Sequence, residues 1–307
     1  ANDLLSVWSL VGLEDMRSTE QLLQRTLMAC FLLKVLQKGG FFGKWDKNED
    51  DESELGEALT DDELCVASCL LRALCVLQFN VHEMSGLASI DESPKQMTAA
   101  RAVFYPLGTG IYPTISFMNH SCYPAVTRFF DGTKMVLVTI RPIQAGEMVA
   151  ENYGPRFTRD SLFERQKKLE TRYWFKCSCI ACNENWPIYD QMKDVKILLC
   201  PKCHVKLPVA TPSNPKVTCT KCGTESNCVM LIKEIKQNES VFMMGKRFMA
   251  ESNPENAIKA FEAFINTAVA LVAPPYKELH LAMDSIRMLI PQRGNKPKPL
   301  LRMPSTK

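Results

Sequence analysis

Seven of the thirteen cysteines fall into tight groups, and those groups carry metal chemistry. Cys200-x2-Cys203, fifteen residues and then Cys219-x2-Cys222 is a four-thiolate pattern. Each C-x2-C pair wraps two sulfurs around one ion, and zinc held by four thiolates is a closed structural site with no open position for chemistry. Gly223 suits the tight knuckle after the second pair, while His204 and Cys228 stand nearby and are read as bystanders. Cys177-x-Cys179-x2-Cys182 supplies only three thiolates, one short of a tetrahedral set. The fourth must come from elsewhere. Cys122, Cys75 and Cys228 are all candidates, and spacing does not choose among them. Cys65 and Cys69, four apart in a helical pattern, are expected to be buried thiols on an apolar face, as is Cys30.

An odd cysteine count is awkward for a disulfide framework, and the first residues, Ala-Asn-Asp, show no basic start or apolar stretch of a signal peptide. The pattern favours zinc thiolate in a reducing compartment: cytoplasm, nucleus or both. The missing initiator Met suggests a fragment. With 307 residues, 46% hydrophobic and 23% charged, the chain can form two domains and a sizeable core. No apolar run reaches the roughly 18 residues of a membrane span. A net charge of +3 gives no electrostatic case for nucleic acid.

The elements that must position these groups follow from periodicity. Residues 19–38 place Leu22, Leu23, Leu27, Phe31, Leu32 and Leu36 at helical spacing, ending at Gly39-Gly40. An acidic stretch, Asp46 with Glu49, Asp50, Asp51, Glu52, Glu54 and Glu57, reads as a solvated loop. Residues 60–79 return to helix, with Thr60 as N-cap. Residues 126–130 and 135–140 around Asp131-Gly132 predict a β-hairpin, and a short strand at 147–150 follows a turn at 144–146. Residues 158–171 predict an amphipathic helix with Leu162, Phe163 and Leu169 on one face. Residues 229–290 are helical again: Asn253-Pro254 starts a helix carrying Ala257, Ile258, Phe261, Phe264 and Ile265, and Pro274-Pro275 breaks the pattern before a further helix. Helix pairs of this size resemble tetratricopeptide units, without a clean repeat of about 34 residues. The last 17 residues, with five basic residues, four prolines and no acid, predict a disordered tail.

Three blocks, taken in order, resemble a known family. They are GTGIYPTISFMNHSC from Gly108 to Cys122, Ala145-Gly146-Glu147 leading to Glu151-Asn152-Tyr153-Gly154, and Glu164-Arg165-Gln166-Lys167-Lys168-Leu169 followed by Tyr173-Trp174-Phe175-Lys176-Cys177-Ser178-Cys179. Their order and spacing over about residues 78–183 resemble the SET and MYND domain (SMYD) family of protein lysine methyltransferases. Tyr153-Gly154-Pro155 and the added zinc pattern look most like the branch that bears tetratricopeptide repeats. The resemblance implies an α+β fold: a small SET β fold with the Asn-His-Ser strand threaded beneath the tyrosine segment, a helical insert, a zinc-bound post-SET region and a helical C-terminal domain. It selects Cys122 as the fourth ligand beside Cys177, Cys179 and Cys182. The family's first SET segment, with its glycine-rich donor-binding turn, and its MYND finger are not visible in these residues, so the chain is expected to be a C-terminal part.

The chemistry implied is methyl transfer from S-adenosylmethionine to a lysine, a direct displacement in which alignment and desolvation supply most of the catalysis. The lysine must be neutral, and an apolar channel next to a sulfonium lowers its pKa. By resemblance Tyr153 stands at the point of transfer, and Tyr173 and Phe175 line the lysine channel. Asn119 and His120 hold the donor, largely through main-chain groups, with Ser116 and Met118 just before them on the same strand. Asn80 matches a family asparagine that contacts the donor. Tyr153 and Phe175 complete the donor set. Tyr173, Trp174 and Phe175 could instead be plain core aromatics and His120 a satisfied buried histidine; His82 and His280 are read as structural.

The resulting division is a helical insert with acidic loop at 1–77, a SET core at 78–160 and a zinc-bound post-SET region at 161–187. A zinc-ribbon-like module at 188–230, a helical domain at 231–290 and a basic tail at 291–307 follow. Two structural zinc ions and S-adenosylmethionine are the expected cofactors. The expected partners are a protein with an acceptor lysine, histone or not, and other proteins at the helical end. Neither a membrane nor nucleic acid is expected. The rival reading is a non-catalytic adaptor built on a degenerate SET fold.

Overall fold

The computed structural model of the protein describes residues 4–43, 58–89, 102–211 and 213–295. The acidic stretch at 46–57 lies outside them. Two compact units form, one from Ala1–His82 with Thr109–Phe117, the other from Glu83–Gly108 with Met118–Lys307.

The first unit contains α1 (Leu4–Trp8), α2 (Thr19–Lys38), α3 (Asp61–Asn80) and α4 (Pro113–Ser116). Capping boxes start both long helices: Ser18 with Gln21 on α2 and Thr60 with Glu63 on α3. Each satisfies two of the donors a helix start leaves open. Ala29 and Leu33 of α2 and Cys75, Val76 and Asn80 of α3 are buried. Arg17 ties the unit together by donating to the Gly12 and Cys75 carbonyls and to Gln78 Oε1. Of the α2 stripe, Leu23, Leu27 and Phe31 are exposed. Cys30, Cys65 and Cys69 are exposed too, against expectation. Burial on α3 is confined to its last turns, and Cys65 and Cys69 lie upstream of it.

β1 (Val81–Ser89) and β2 (Ala102–Ile111) form a two-stranded sheet. In the second unit β3 (Val126–Asp131) and β4 (Lys134–Thr139) make the expected hairpin, in register from Val126↔Thr139 to Asp131↔Lys134. The turn at 144–146 is present, Glu147 N–H donating to the Gln144 carbonyl at 2.9 Å. The strand expected at 147–150 does not form. That segment has no ladder partner among the described residues, and pairing begins only at Glu151, in a parallel bridge to His120.

α5 (Leu162–Tyr173) starts four residues later than the sequence suggests, because the Ser161–Glu164 capping box fixes its N-terminus. Phe163 is 74% exposed, and Arg165 lies with Leu169 on the buried face instead. α6 (Ile180–Asn183), β5 (Ile197–Leu198), β6 (Lys216–Thr218) and β7 (Glu225–Asn227) occupy the cysteine-rich stretch.

α7 (Cys228–Ala250), α8 (Pro254–Leu271) and α9 (Lys277–Leu289) then pack on one another, and β8 (Val272–Ala273) pairs antiparallel with β5. Asn253 caps α8 as expected, accepting from Asn256 N–H. Fully buried Phe261, Phe264, Ile265, Leu279, Met283 and Ile286 make the bundle interior. Gly245 lets α7 and α8 approach closely: a Cβ there would stand 2.6 Å from the Phe261 ring.

His280 of α9 is buried edge-on to Tyr123 and Phe157, with Trp186 beside it, joining α9, the segments of Tyr123 and Phe157 and the cysteine-rich region in one core. Residues 291–295, predicted as the start of a disordered tail, are placed. Asn295 N–H donates to the Phe130 carbonyl at 2.8 Å and the Asn295 amide pairs with both backbone groups of Gly132, so 291–295 dock on the hairpin. Residues 296–307 lie outside the described set. No helix among the described residues is long and apolar enough to cross a membrane.

Candidate active site and metal centres

Three segments of the second unit meet around His120. Ser121 N–H donates to the Glu151 carbonyl at 2.8 Å and Glu151 N–H to the Asn119 carbonyl at 2.9 Å, which sets the two segments parallel. In this pairing the bonds come from the neighbours of His120, so its own N–H and C=O face away from Glu151. Asn152 locks the join by donating to the Ser121 and Pro155 carbonyls. Glu147 pins the preceding turn through an ion pair with Arg141, whose guanidinium lies 4.7 Å over the Tyr123 ring.

Tyr153 stands at the centre. Its hydroxyl donates to the Met118 carbonyl at 2.5 Å and its N–H to His120 Nδ1 at 2.9 Å. The Tyr173 hydroxyl reaches the Tyr153 carbonyl at 3.4 Å, and the two rings lie 4.9 Å apart. Phe175 is edge-on to Tyr153 at 6.3 Å and 6.1 Å from the His120 ring. Burial, reinforced by Tyr173, raises the Tyr153 pKa and keeps the phenol protonated. Burial holds the His120 imidazolium down to about 4, so the ring is neutral. A cleft of about 220 Å³ borders Asn152, with Arg128 ion-paired to buried Glu151 on its wall.

Met118, Asn119, His120, Tyr153, Tyr173 and Phe175 are thus neighbours. Asn80 and Ser116 belong to the first unit. The Asn80 amide donates to the Val11 and Val76 carbonyls. Ser116 ends α4 and is not on a strand with Met118: Ile115 and Ser116 N–H groups both bond back to the Tyr112 carbonyl, winding a helical turn after Pro113.

The first thiolate set assembles as expected, with Cys122 joining Cys177, Cys179 and Cys182 so that all sulfurs lie within 4.8 Å of one another. Cys122 and Cys182 Sγ are 3.6 Å apart, close to the roughly 3.8 Å of a zinc tetrahedron with 2.3 Å bonds and far beyond a disulfide. Hydrogen bonding with Cys122, and more weakly with Arg165, pulls the Cys182 thiol down to about 7. α5 supplies the supports. Gln166 clamps Cys177 through both its backbone groups, at 2.8 and 2.9 Å. Arg165, fully buried, donates to the Asp160 and Ala181 carbonyls and approaches Cys182 Sγ at 3.8 Å. Among the described residues no carboxylate pairs with it. Four neutral thiols would leave that cation uncompensated in the core, which is costly, whereas a zinc tetrathiolate carries two negative charges beside it. The residues fit the ion.

The second set, Cys200, Cys203, Cys219 and Cys222, is likewise within 4.8 Å. Two matching knuckles build it: Cys200 N–H bonds the Val205 carbonyl and Cys219 N–H the Thr224 carbonyl, each at 2.9 Å or less. Gly223 and His204 occupy equivalent positions at φ 68 and φ 55, the conformation each knuckle needs to close. Hydrogen bonding with Thr224 lowers the Cys222 thiol to about 6. Cys75 and Cys228 are buried outside both sets.

The sequence reading missed Arg165, Gln166 and the His120 side chain. For Arg165 a signal existed: it lies one turn before Leu169 on the apolar face of α5.

A SET domain model matches residues 15–154. The protein-lysine N-methyltransferase SMYD4 of Mus musculus is 26% identical over 195 residues, 62% of this chain and 24% of that protein. Its Homo sapiens counterpart is 34% identical over 137 residues, 43% of this chain and 17% of that protein. The histone-lysine N-methyltransferase SMYD3 of Mus musculus is 36% identical over 85 residues, 28% of this chain and 19% of that protein. Residues 15–154 carry a SET domain, and the chain is similar to SET and MYND domain proteins. It spans about a quarter of the length of the first of these relatives. The SET match covers α2, α3 and α4 of the first unit as well as the His120–Tyr153 join.

Proposed function

We propose that this chain is the acceptor-side, zinc-bound part of a protein-lysine N-methyltransferase that uses S-adenosylmethionine. The observation that carries the reading is the Tyr153 hydroxyl, held at 2.5 Å on the Met118 carbonyl beside Tyr173 and next to the His120–Glu151 bridge. The donor, when bound, offers a methyl group on a sulfonium. Among the described residues the outward N–H and C=O of His120 have no backbone partner, and one donor with one acceptor suits an adenine ring. Asn119, Met118 and Phe175 complete that wall; Asn80 and Ser116, which the family resemblance also names, belong to the first unit. Tyr153 and Tyr173 line the acceptor channel, where aromatic walls exclude water and keep the lysine amine neutral. The protonated Tyr153 phenol and nearby carbonyls orient the amine lone pair.

Each cysteine set holds one structural zinc in this reading. A protein with an acceptor lysine is the substrate. The α7–α9 bundle is tetratricopeptide-like and recruits other proteins, in the cytoplasm or nucleus. Calorimetry with S-adenosylmethionine tests the proposal, on this chain and on a longer form of the protein carrying more of the family's length. Binding by either supports the donor site. Binding by neither moves the assignment to a non-catalytic adaptor.

A further inference from the structure

We propose that the His120 side chain is a positioning residue that couples the metal-bearing thiolate Cys122 to the backbone of Tyr153. The geometry points to this directly. His120 is 6% exposed, with both ring nitrogens in use: Nδ1 accepts from Tyr153 N–H at 2.9 Å, and Nε2 lies 3.3 Å from Cys122 Sγ. Because Nδ1 is an acceptor, the proton of the neutral ring resides on Nε2 and points at the sulfur. A zinc-bound thiolate is a strong acceptor for it, while a free thiol rotates and offers a weak one. The ring also lies tilted against Tyr153 at 5.2 Å and Phe175 at 6.1 Å, so a turn of the imidazole moves the channel wall. No other side chain bridges a first-set sulfur to Tyr153 among the described residues. Metal occupancy and the set of Tyr153 are therefore linked, and linkage of this kind is reciprocal.

The inference rests on zinc at the first cysteine set and extends that reading. Two substitutions separate the ends of the bridge. His120→Asn keeps an acceptor near the Nδ1 position and loses the reach to Cys122. His120→Gln keeps a donor near the Nε2 position and loses the Nδ1 acceptor.

Zinc release to a chromogenic chelator and hydrogen exchange of the Tyr153 amide are measured on both, with Cys179→Ser identifying the first-site phase. His120→Asn should weaken the first zinc about 10–100-fold, the usual cost of losing an outer hydrogen bond to a ligand. The second zinc should be unchanged. His120→Gln should hold both zincs within about threefold of wild type, but lose Tyr153 amide protection. Stripping zinc from wild type should also deprotect that amide. Wild-type zinc release from His120→Asn, equal weakening of both sites, or an amide indifferent to zinc would each overturn the bridge. Absence of zinc from the first set in wild type would instead sink the metal reading, and the inference with it.

Discussion

Lowering the pH from 7 to 5 tests the buried histidine of α9. His280 is 2% exposed among Tyr123, Phe157 and Trp186, and burial lowers its pKa from 6.5 to about 3; Asp284 opposes that shift, while Arg287 and Arg141 assist it. The fold therefore holds the ring neutral, while the unfolded chain takes up a proton below pH 6.5. Proton uptake by the unfolded state makes stability rise with pH, so it is complete above 6.5 and lost as pH falls toward 3. At pH 5 the unfolded ring favours its charged form by roughly 30-fold, equivalent to about 2 kcal/mol. His120, held to about 4, adds a similar loss, so the two histidines of the wild type together cost about 4 kcal/mol between pH 7 and 5. His280→Leu conserves volume and should cost under about 1.5 kcal/mol at pH 7. It should then lose about 2 kcal/mol less than wild type on acidification. Carboxylates and thiols contribute equally to both proteins and cancel. Urea unfolding at the two pH values, followed by the fluorescence of Trp186 in the same aromatic box, reads the difference. Equal losses in variant and wild type would refute the assignment of a neutral, proton-excluding His280.

Cys179→Ser should release one zinc ion and loosen the post-SET region while the Cys200 set keeps its metal, because metal binding and folding are coupled at each site; unchanged metal content by elemental analysis refutes that ligand set. Tyr153→Phe removes the hydroxyl held by the Met118 carbonyl and should lower methyl transfer more than donor binding. An equal loss in both would count against a role at the transfer point. Gly245→Ala drives a methyl into the Phe261 ring, 2.6 Å away, and should destabilise the α7–α8 packing by about 1–3 kcal/mol, less about 1 from better helix propensity. Chemical denaturation showing a more stable variant would mean that the two helices are not so closely packed.

Local signals carried most of the elements. α2, α3 and the β3–β4 hairpin fall where periodicity, caps and the turn put them, since each depends on residues within a few positions of one another. The outward turn of Leu23, Leu27 and Phe31, and the exposure of Cys30, Cys65 and Cys69, were not legible. A helical stripe says that a face is apolar, and only the neighbour says whether that face is covered. The same limit applies to Phe163 and Arg165 on α5. Hydrophobicity favours the phenylalanine inside, but burying Arg165 satisfies the Asp160 and Ala181 carbonyls and places a cation beside four sulfurs.

The sequence by itself determined the two zinc sets' C-x2-C halves, the knuckle at Gly223, and, with the family blocks, the choice of Tyr153, Tyr173 and the Asn119-His120 pair. Those features are short in sequence and chemically specific. The family blocks also picked Cys122 where spacing did not; only the tertiary structure decided that 147–150 stays unpaired and that one imidazole touches both Cys122 and Tyr153. Each of those depends on segments that approach through the pairing of Glu151 with His120. Residue spacing holds no record of that approach, because it is set by the packing of the whole core around it.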